Sequence, residues 1–168
     1  MNTYYPNVQI KRIDPDPDFP LPSYAHDGDA AMDLCATEDV ELRPGESCKM
    51  GCGFAFGLPE GYAGHVYPRS GLGNRGLVIK NSVGVIDSGY RGEVQLTLCN
   101  NNPCDVWVEV EHGIYELRAN DEGTISIHRG DRVAQMEITH VCRPSLIETM
   151  VLDETDRGRD GLGSTGVR

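Results

Sequence analysis

The C-terminal segment combines residue types that suit the binding of an anion. Glycines there surround hydroxyl residues, and arginines precede them: Gly161, Gly163, Gly166, Ser164, Thr165, Arg157 and Arg159. Glycine lets backbone N–H groups approach an anion closely, while hydroxyl and guanidinium groups supply further donors. The segment is not a Walker P-loop, because no Gly-Lys-Ser/Thr follows. Composition alone favours a flexible chain end instead.

Other polar side chains fall in Gly-rich turns, where they can converge on a ligand. Tyr67-Pro-Arg-Ser-Gly-Leu72 presents Arg69 and Ser70, and an arginine suits a bidentate phosphate contact. Asn81 to Glu93 resembles a hairpin whose tip carries Asp87, a possible general base, and Tyr90, which can pack against a sugar. The alternative for the first segment is an ordinary surface turn with an exposed Arg69. The alternative for the second segment is a turn in which Asp87 caps its own backbone.

Shorter segments add an acid and an amide. Ala30-Ala-Met-Asp-Leu34 places Asp33 in a strand of small residues, and Arg129-Gly-Asp-Arg-Val-Ala-Gln135 is a turn that leads into a strand. Each is a weak indication by itself. In this order along the chain, the five segments together resemble the five motifs of the trimeric deoxyuridine triphosphatase (dUTPase) family.

The resemblance covers Ala30 to Gly166, which is nearly the whole chain. The second, third, fourth and fifth motifs correspond to Pro68–Leu72, Gly84–Glu93, Gly130–Gln135 and Arg157–Gly166. The first motif departs from the usual pattern, since Ala31 and Met32 stand where glycine and tyrosine are usual. The fifth departs at Leu162, where phenylalanine is usual.

The resemblance implies an all-β, jelly-roll-like barrel or sandwich in residues 1–152, followed by a mobile Gly-rich arm in residues 153–168. It implies a homotrimer whose sites are shared between subunits, with the arm closing over a neighbour's site as a lid. The implied reaction is the Mg2+-dependent hydrolysis of dUTP to dUMP and pyrophosphate. That reaction limits uracil in DNA and supplies dUMP for thymidylate synthesis.

The same resemblance implies roles for residues. Asp87 orients and deprotonates the water that attacks the α-phosphorus and contacts the 3′-hydroxyl, while Tyr90 lies under the deoxyribose and leaves no room for a 2′-hydroxyl. The uracil edge is read by backbone groups around Asn81, Gly84, Val85 and Ile86. The phosphates are held by Arg69, Ser70, Gly71 and Gln135, and the γ end is clamped by Arg157, Gly163, Ser164 and Thr165. Asp33 acts near Mg2+ through water, and Leu162 covers the base.

The stretch between the third and fourth motifs is longer than a compact member of the family needs. Residues 99–128 contain Trp107, the only tryptophan, and the acidic Glu109 and Glu111. A long β-hairpin that merely decorates the jelly roll accounts for this length. The alternative is an insert that binds a protein partner, since some phage-encoded members of the family carry extra sequence at this place.

Competing functions are also open. dCTP deaminase shares the fold, but Thr97 stands where its glutamate general base is expected, and ammonia release from dCTP would identify it. A non-catalytic regulatory protein on the same scaffold is the other alternative. The presence of Asp87 and of the tail motif disfavours it, and a zero rate of pyrophosphate release from dUTP would support it.

The elements that must position these residues are short β segments separated by turns. Alternating apolar and polar residues predict a strand at Val8–Ile13, and Val106–Val110 with Ile114–Leu117 predict a hairpin joined through His112-Gly113. Asp14 to Pro22 contains four prolines and is expected to run extended over the surface. No capped amphipathic stretch of ten residues occurs apart from a short turn near Ser70 to Arg75, so the pattern predicts an all-β fold.

Composition sets the limits on partners and location. The 168 residues fit one domain, and a formal net charge of −11 argues against a nucleic-acid partner. No apolar run approaches the roughly 20 residues of a membrane span, and the N-terminus lacks a signal sequence, so we expect a cytoplasmic protein. Its six cysteines lack a CxxC pair and are expected to be reduced thiols rather than zinc ligands. Positive charge for a phosphate must then be local, at Arg69, Arg132 and Arg157.

Overall fold

The computed structural model describes residues 6–159, and within them nearly all regular structure is β. One short helix, α1, spans Ser70–Gly73, and a 3-10 turn spans Asp121–Gly123. The strands are β1 Gln9–Arg12, β2 Met32–Cys35, β3 Val40–Leu42, β4 Ser47–Gly57, β5 Tyr62–Pro68, β6 Leu77–Ile79, β7 Gly84–Ile86, β8 Glu93–Asn100, β9 Asp105–Glu111, β10 Ile114–Ala119, β11 Ile125–Ile127 and β12 Arg132–His140. None of the described helices is long enough and apolar enough to cross a membrane.

Two four-stranded sheets enclose the core. Their strand orders are β1-β4-β8-β6 and β2-β12-β5-β7, and β3 pairs with β11 in a separate small sheet. The alternation in β8 shows why the strands form: Val94, Leu96 and Leu98 are buried, while Gln95 and Thr97 between them are not. Leu34 and Met136 of the other sheet join the same apolar cluster. The all-β, jelly-roll-like prediction is confirmed.

The third motif joins the two sheets, so the predicted hairpin of paired strands is wrong at this point. β7 pairs with β5 in one sheet, whereas β8 pairs with β4 and β6 in the other. Residues 87–92 therefore cross from sheet to sheet. A local pattern carries no information on the partners of a strand, and here each of the two strands buries its apolar face against a different neighbour.

The stretch between the third and fourth motifs forms the hairpin that the alternation predicts. β9 and β10 are antiparallel and meet at Gly113, whose φ of 80° suits a tight turn. The hairpin forms a sheet of its own. Asn120 closes its root, because its backbone N–H and its side-chain amide donate to the carbonyls of Cys104 and Pro103 at 2.8 and 2.9 Å. The excursion is thus anchored at one end and projects from the sandwich.

Candidate active site

Asp33 is the central charged group of the candidate site. It lies on β2 opposite Gln135 of β12, and Gln135 in turn lies opposite Tyr67 of β5. Residues directly opposite one another in neighbouring strands project from the same face of a sheet. The register of three strands therefore places an acid, an amide and a phenol in one row, from residues that are far apart in the sequence.

Two arginines hold the Asp33 carboxylate, one on each oxygen. Arg69 Nε lies 2.8 Å from Oδ1, and Arg132 Nη1 lies 3.1 Å from Oδ2. The Asp33 side chain is only 14% exposed, whereas those of Arg69 and Arg132 are 29% and 53% exposed. Arg69 also donates to the Arg132 carbonyl at 3.1 Å. The acid thus fixes both guanidinium groups while leaving them accessible to a ligand.

A cavity of about 660 Å³ opens over this row of residues. Of the predicted phosphate residues, Arg69, Ser70, Gly71 and Gln135 all line it, as does Asp33. Gln135 donates to the Pro68 carbonyl at 3.1 Å, which ties β12 to the turn that carries Arg69 and Ser70. The structure therefore brings the second and fourth motifs together with the acid of the first.

Residues of the third motif lie outside this cavity. None of Asn81, Gly84, Val85, Ile86, Asp87 and Tyr90 is among its lining residues. Asp87 is exposed, and within residues 6–159 its carboxylate has no hydrogen-bond partner. A single copy of the chain thus separates the candidate general base from the candidate phosphate cavity.

Tyr90 is held in place by its own loop. Its backbone N–H donates to the Asp87 carbonyl at 3.0 Å, and its hydroxyl donates to the Glu93 carbonyl at 3.0 Å. The ring lies over Gly92 so closely that a Cβ there would be 2.7 Å from Cζ. Glycine at position 92 is therefore required for this ring position, and one face of Tyr90 stays exposed beside Asp87.

Comparison with known proteins places the chain in a family. A family model of dUTPase matches residues 17–117. The deoxyuridine 5′-triphosphate nucleotidohydrolase of Thermobifida fusca (strain YX) is 42% identical over 160 residues, which are 95% of this chain and 78% of that protein. The chain belongs to the dUTPase family. The protein of the same name from Mycobacterium tuberculosis (strain ATCC 25177 / H37Ra) is 44% identical over 157 residues, 90% of each chain.

Solved structures of dUTPases share the fold. A mutant dUTPase of Staphylococcus bacteriophage 80alpha, determined with dUpNHpp, has a TM-score of 0.80 at 28% identity and covers 96% of this chain and 99% of its own. A mutant dUTPase from phage phi11 of S. aureus has a TM-score of 0.69 at 29% identity, with 87% and 98% covered. The latter structure describes the coordination of a structural Mg(II) ion in that enzyme.

The dUTPase motifs did not reveal every residue of the cavity. Its lining also includes His26, Asp29, Tyr67 and Glu137. Glu137 follows Gln135 by two positions in β12, so the period of a strand could have placed it on the same face. It accepts a hydrogen bond from the Tyr67 hydroxyl at 3.3 Å. Burial and this carboxylate raise the pKa of Tyr67, because both favour the neutral phenol that donates to Glu137.

The fifth dUTPase motif falls partly outside the described part of the chain. Leu162, Gly163, Ser164 and Thr165 lie beyond residue 159, so their predicted roles stay predictions. Arg157 is exposed and does not line the cavity. The segment before it carries large apolar side chains in the open: Leu146, Ile147, Met150, Val151 and Leu152 are 79–103% exposed.

Proposed function

We propose that this protein hydrolyses dUTP to dUMP and pyrophosphate. The observation that carries the proposal is the cavity in which Asp33 holds Arg69 and Arg132 beside Ser70 and Gln135. Family membership supplies the reaction, and the cavity supplies the groups that a triphosphate needs. dCTP deaminase and a purely regulatory scaffold are the alternatives that the family assignment disfavours.

Phosphate binding falls to Arg69, Ser70, Gly71, Arg132 and Gln135. Arg69 uses Nε for Asp33 and Nη1 for the Arg132 carbonyl, so three of its five N–H groups have no partner within the described residues. The Arg69 side chain lines the cavity and is 29% exposed, so these groups can meet phosphate oxygens in a planar fork. The exposed Arg132 guanidinium adds a second cation. Because Asp33 already fixes both arginines, little side-chain entropy is lost when a phosphate binds.

Asp87 acts as the general base on the attacking water. Its carboxylate is exposed and carries no hydrogen bond from the described protein groups, so both oxygens are available to a water molecule. Tyr90 presents its ring beside this acid and supports the deoxyribose. A ribose 2′-hydroxyl would have to fit against that ring, so the ring supplies the discrimination against UTP.

The donor set fits a Mg2+ ion held largely by the substrate. Among the described residues no cluster of three or more His, Cys, Asp or Glu could hold a metal ion. Both Asp33 oxygens are bound by arginines, so this acid would act through water, as Mg2+ permits. The cavity lining carries three carboxylates, Asp29, Asp33 and Glu137, against two guanidinium groups. When bound, Mg2+ supplies the positive charge that this lining lacks.

The separation of the motifs supports a homotrimer with shared sites. The cavity contains the phosphate residues but neither Asp87 nor Tyr90, and another copy of the chain would supply these two. The apolar side chains of the segment 146–152 are also exposed to solvent, which is unfavourable. Packing against a neighbouring subunit would bury them. The arm then carries Arg157, Gly163, Ser164, Thr165 and Leu162 towards a neighbour's site.

Pyrophosphate release measured across the dNTPs and UTP tests the activity. We expect Mg2+-dependent turnover of dUTP, weak turnover of UTP and none with Asp87→Asn, while the wild type releases no ammonia from dCTP. Asp105→Asn, on the exposed hairpin, is the matched control and should behave as wild type. A wild type that binds dUTP without releasing pyrophosphate would refute the proposal.

Mixing two inactive variants tests the shared sites. We expect Asp87→Asn to inactivate every site of its own homotrimer, and Arg69→Ala to do so at dUTP concentrations well below its raised KM. If a site takes Arg69 from one subunit and Asp87 from another, unfolding and refolding an equal mixture restores about a quarter of the sites, because each position is intact with a chance of one half. No recovered activity in mixed trimers, verified by native mass spectrometry, would show that each chain completes its own site.

A second proposal concerns the hairpin of β9 and β10. Trp107 lies opposite Leu117 and Tyr115 lies opposite Glu109, so these four side chains share one face. Trp107, Tyr115 and Leu117 are 54–69% exposed, and the acidic residues Glu109 and Glu111 lie beside them. We propose a basic, partly apolar protein segment as the occupant of this face in the cytoplasm. Binding of model basic peptides, lost in Trp107→Ser with dUTP turnover intact, would support it, and unchanged binding would refute it.

A further inference from the structure

The proline-rich segment 14–23 is held to the fourth-motif turn by one arginine. Arg129 Nη1 and Nη2 bind the two Asp14 oxygens at 2.8 and 2.7 Å, and Nη2 also reaches Asp16 at 3.4 Å. The Asp14 side chain is only 4% exposed. The guanidinium lies 4.5 Å from the centre of the Phe19 ring, which is itself in the core. A bidentate ion pair with a stacked ring fixes the arginine in one orientation.

The segment is fixed at both of its ends. At the start, the backbone N–H of Asp14 donates to the Gly53 carbonyl at 3.1 Å. At the end, the Ser23 carbonyl accepts the backbone N–H of Asp33 at 2.9 Å. Asp33 is the acid that holds both arginines of the phosphate cavity. The segment thus leads directly from the Arg129 anchor to the strand that carries the central acid of the site.

Arg129 begins the turn that delivers Arg132. Its backbone N–H donates to Asp39 Oδ1 at 2.7 Å. Gly130 donates to the Ala36 carbonyl, and Ala36 donates to the Asp131 carbonyl, both at 2.8 Å. Arg132 follows at once and pairs with Asp33. The two partners of this ion pair lie on β12 and β2, which pair directly with a bulge next to Arg132, and the Arg129–Asp14 contact adds a tie between segment 14–23 and the turn before β12.

We propose that segment 14–23 is a strap that supports the orientation of the Arg132–Asp33 pair at the bulged end of the β2–β12 ladder, and that Arg129 is its positioning residue. Arg129 lies outside the cavity lining, so it acts on the phosphate site only through the Arg132–Asp33 pair. The inference rests on the proposed dUTP hydrolysis. Arg129 keeps the pKa of Asp14 below its ordinary value, so the strap stays closed at neutral pH and loosens only as the pH falls into the acid range.

Replacement of Arg129 by lysine keeps the charge but removes the planar fork. One ammonium group cannot bind both Asp14 oxygens in parallel and also stack on Phe19. We expect a rise in KM for dUTP of about tenfold with little change in kcat, because Arg132 loses roughly one well-placed phosphate contact. Asp14→Asn should give the same direction of change. Arg118→Lys, which alters an exposed ion pair on the hairpin, is the matched control.

A double-mutant cycle with Arg132→Ala decides between positioning and mere support of the fold. If Arg129 acts through Arg132, Arg129→Lys raises KM in the wild-type background but not in the Arg132→Ala background. If it only stabilises the fold, the effects on KM are additive or absent and only the midpoint of urea unfolding falls, which would overturn the proposal. Should Arg129→Lys fold poorly, Asp16→Asn weakens the same anchor more mildly. A wild type without dUTP turnover would instead refute the proposed function.

Discussion

Replacement of Arg69 by lysine tests whether the planar guanidinium group of Arg69 binds phosphate in the cavity. In the wild type, Nε and Nη1 are used within the protein, at 2.8 Å to Asp33 and 3.1 Å to the Arg132 carbonyl. Lysine has a single ammonium group, which can replace the ion pair or a phosphate contact but not both. The variant therefore loses one to two hydrogen bonds to charged groups, each about 1.5–3 kcal/mol. A loss of one such bond corresponds to a KM about 10- to 150-fold higher.

Steady-state pyrophosphate release at varied dUTP gives the measurement. KM should rise while kcat changes less, because phosphate contacts far from the reacting water act on substrate and transition state alike. The unfolding midpoint should move little, since the Arg69–Asp33 pair is partly solvent-exposed and such pairs contribute about 0–1 kcal/mol. Arg118→Lys serves as the control. A KM within twofold of wild type would refute the assignment of Arg69 to phosphate binding.

Four further predictions test other parts of the structure. Asn100 is fully buried and donates to the Leu42 and Gly123 carbonyls, so Asn100→Ala should lower the free energy of unfolding by about 2–4 kcal/mol in urea titrations, while exposed Asn101→Ala should not. Gly92→Ala should displace the Tyr90 ring and reduce the kcat/KM preference for dUTP over UTP severalfold, and an unchanged preference would contradict the role of that ring. Burial raises the pKa of Cys52 to about 12, so iodoacetamide should label exposed Cys104 at pH 8 and leave Cys52 unmodified by mass spectrometry. Leu162→Phe should modestly strengthen binding of a non-hydrolysable dUTP analogue by calorimetry, and weaker or unchanged binding would refute the stacking argument.

Alternation of apolar and polar residues predicts β1 and the hairpin of β9 and β10, but not how the strands of the two large sheets pair. The pattern at Val106–Val110 and Ile114–Leu117 predicts β9 and β10 together with their turn, because strand pairing across a short turn is a local event. The hairpin expected over Asn81 to Glu93 fails by contrast, because β7 and β8 enter different sheets. Their partners lie elsewhere in the chain, and only burial of both apolar faces in one core selects them.

The features of the site also divide into those that the sequence predicts and those that it does not. Residue type and motif order predict Arg69, Ser70, Gly71, Gln135 and Asp33, and the cavity gathers all of them. The direct pairing of Arg132 with Asp33 depends on the register of β2 against β12, which no local pattern specifies. The contact between Asp14 and Arg129 is still harder to predict from the sequence, because the two residues are 115 positions apart. Prolines predict that segment 14–22 avoids a strand, but not what holds it.

In the proposed homotrimer with Mg2+, charge accounts for how so acidic a chain can bind a triphosphate. The formal net charge is −11, and even the cavity lining has three carboxylates for two guanidinium groups. One subunit's cavity would therefore repel a triphosphate unless further cations joined it. Mg2+ is one source, and Arg157 and Arg159 on a neighbour's arm are another. If Mg2+ and these arginines bind together with the substrate, they would supply the missing positive charge and exclude water in the same step. The acidic lining is therefore consistent with the proposed roles of Mg2+ and of a second subunit in binding.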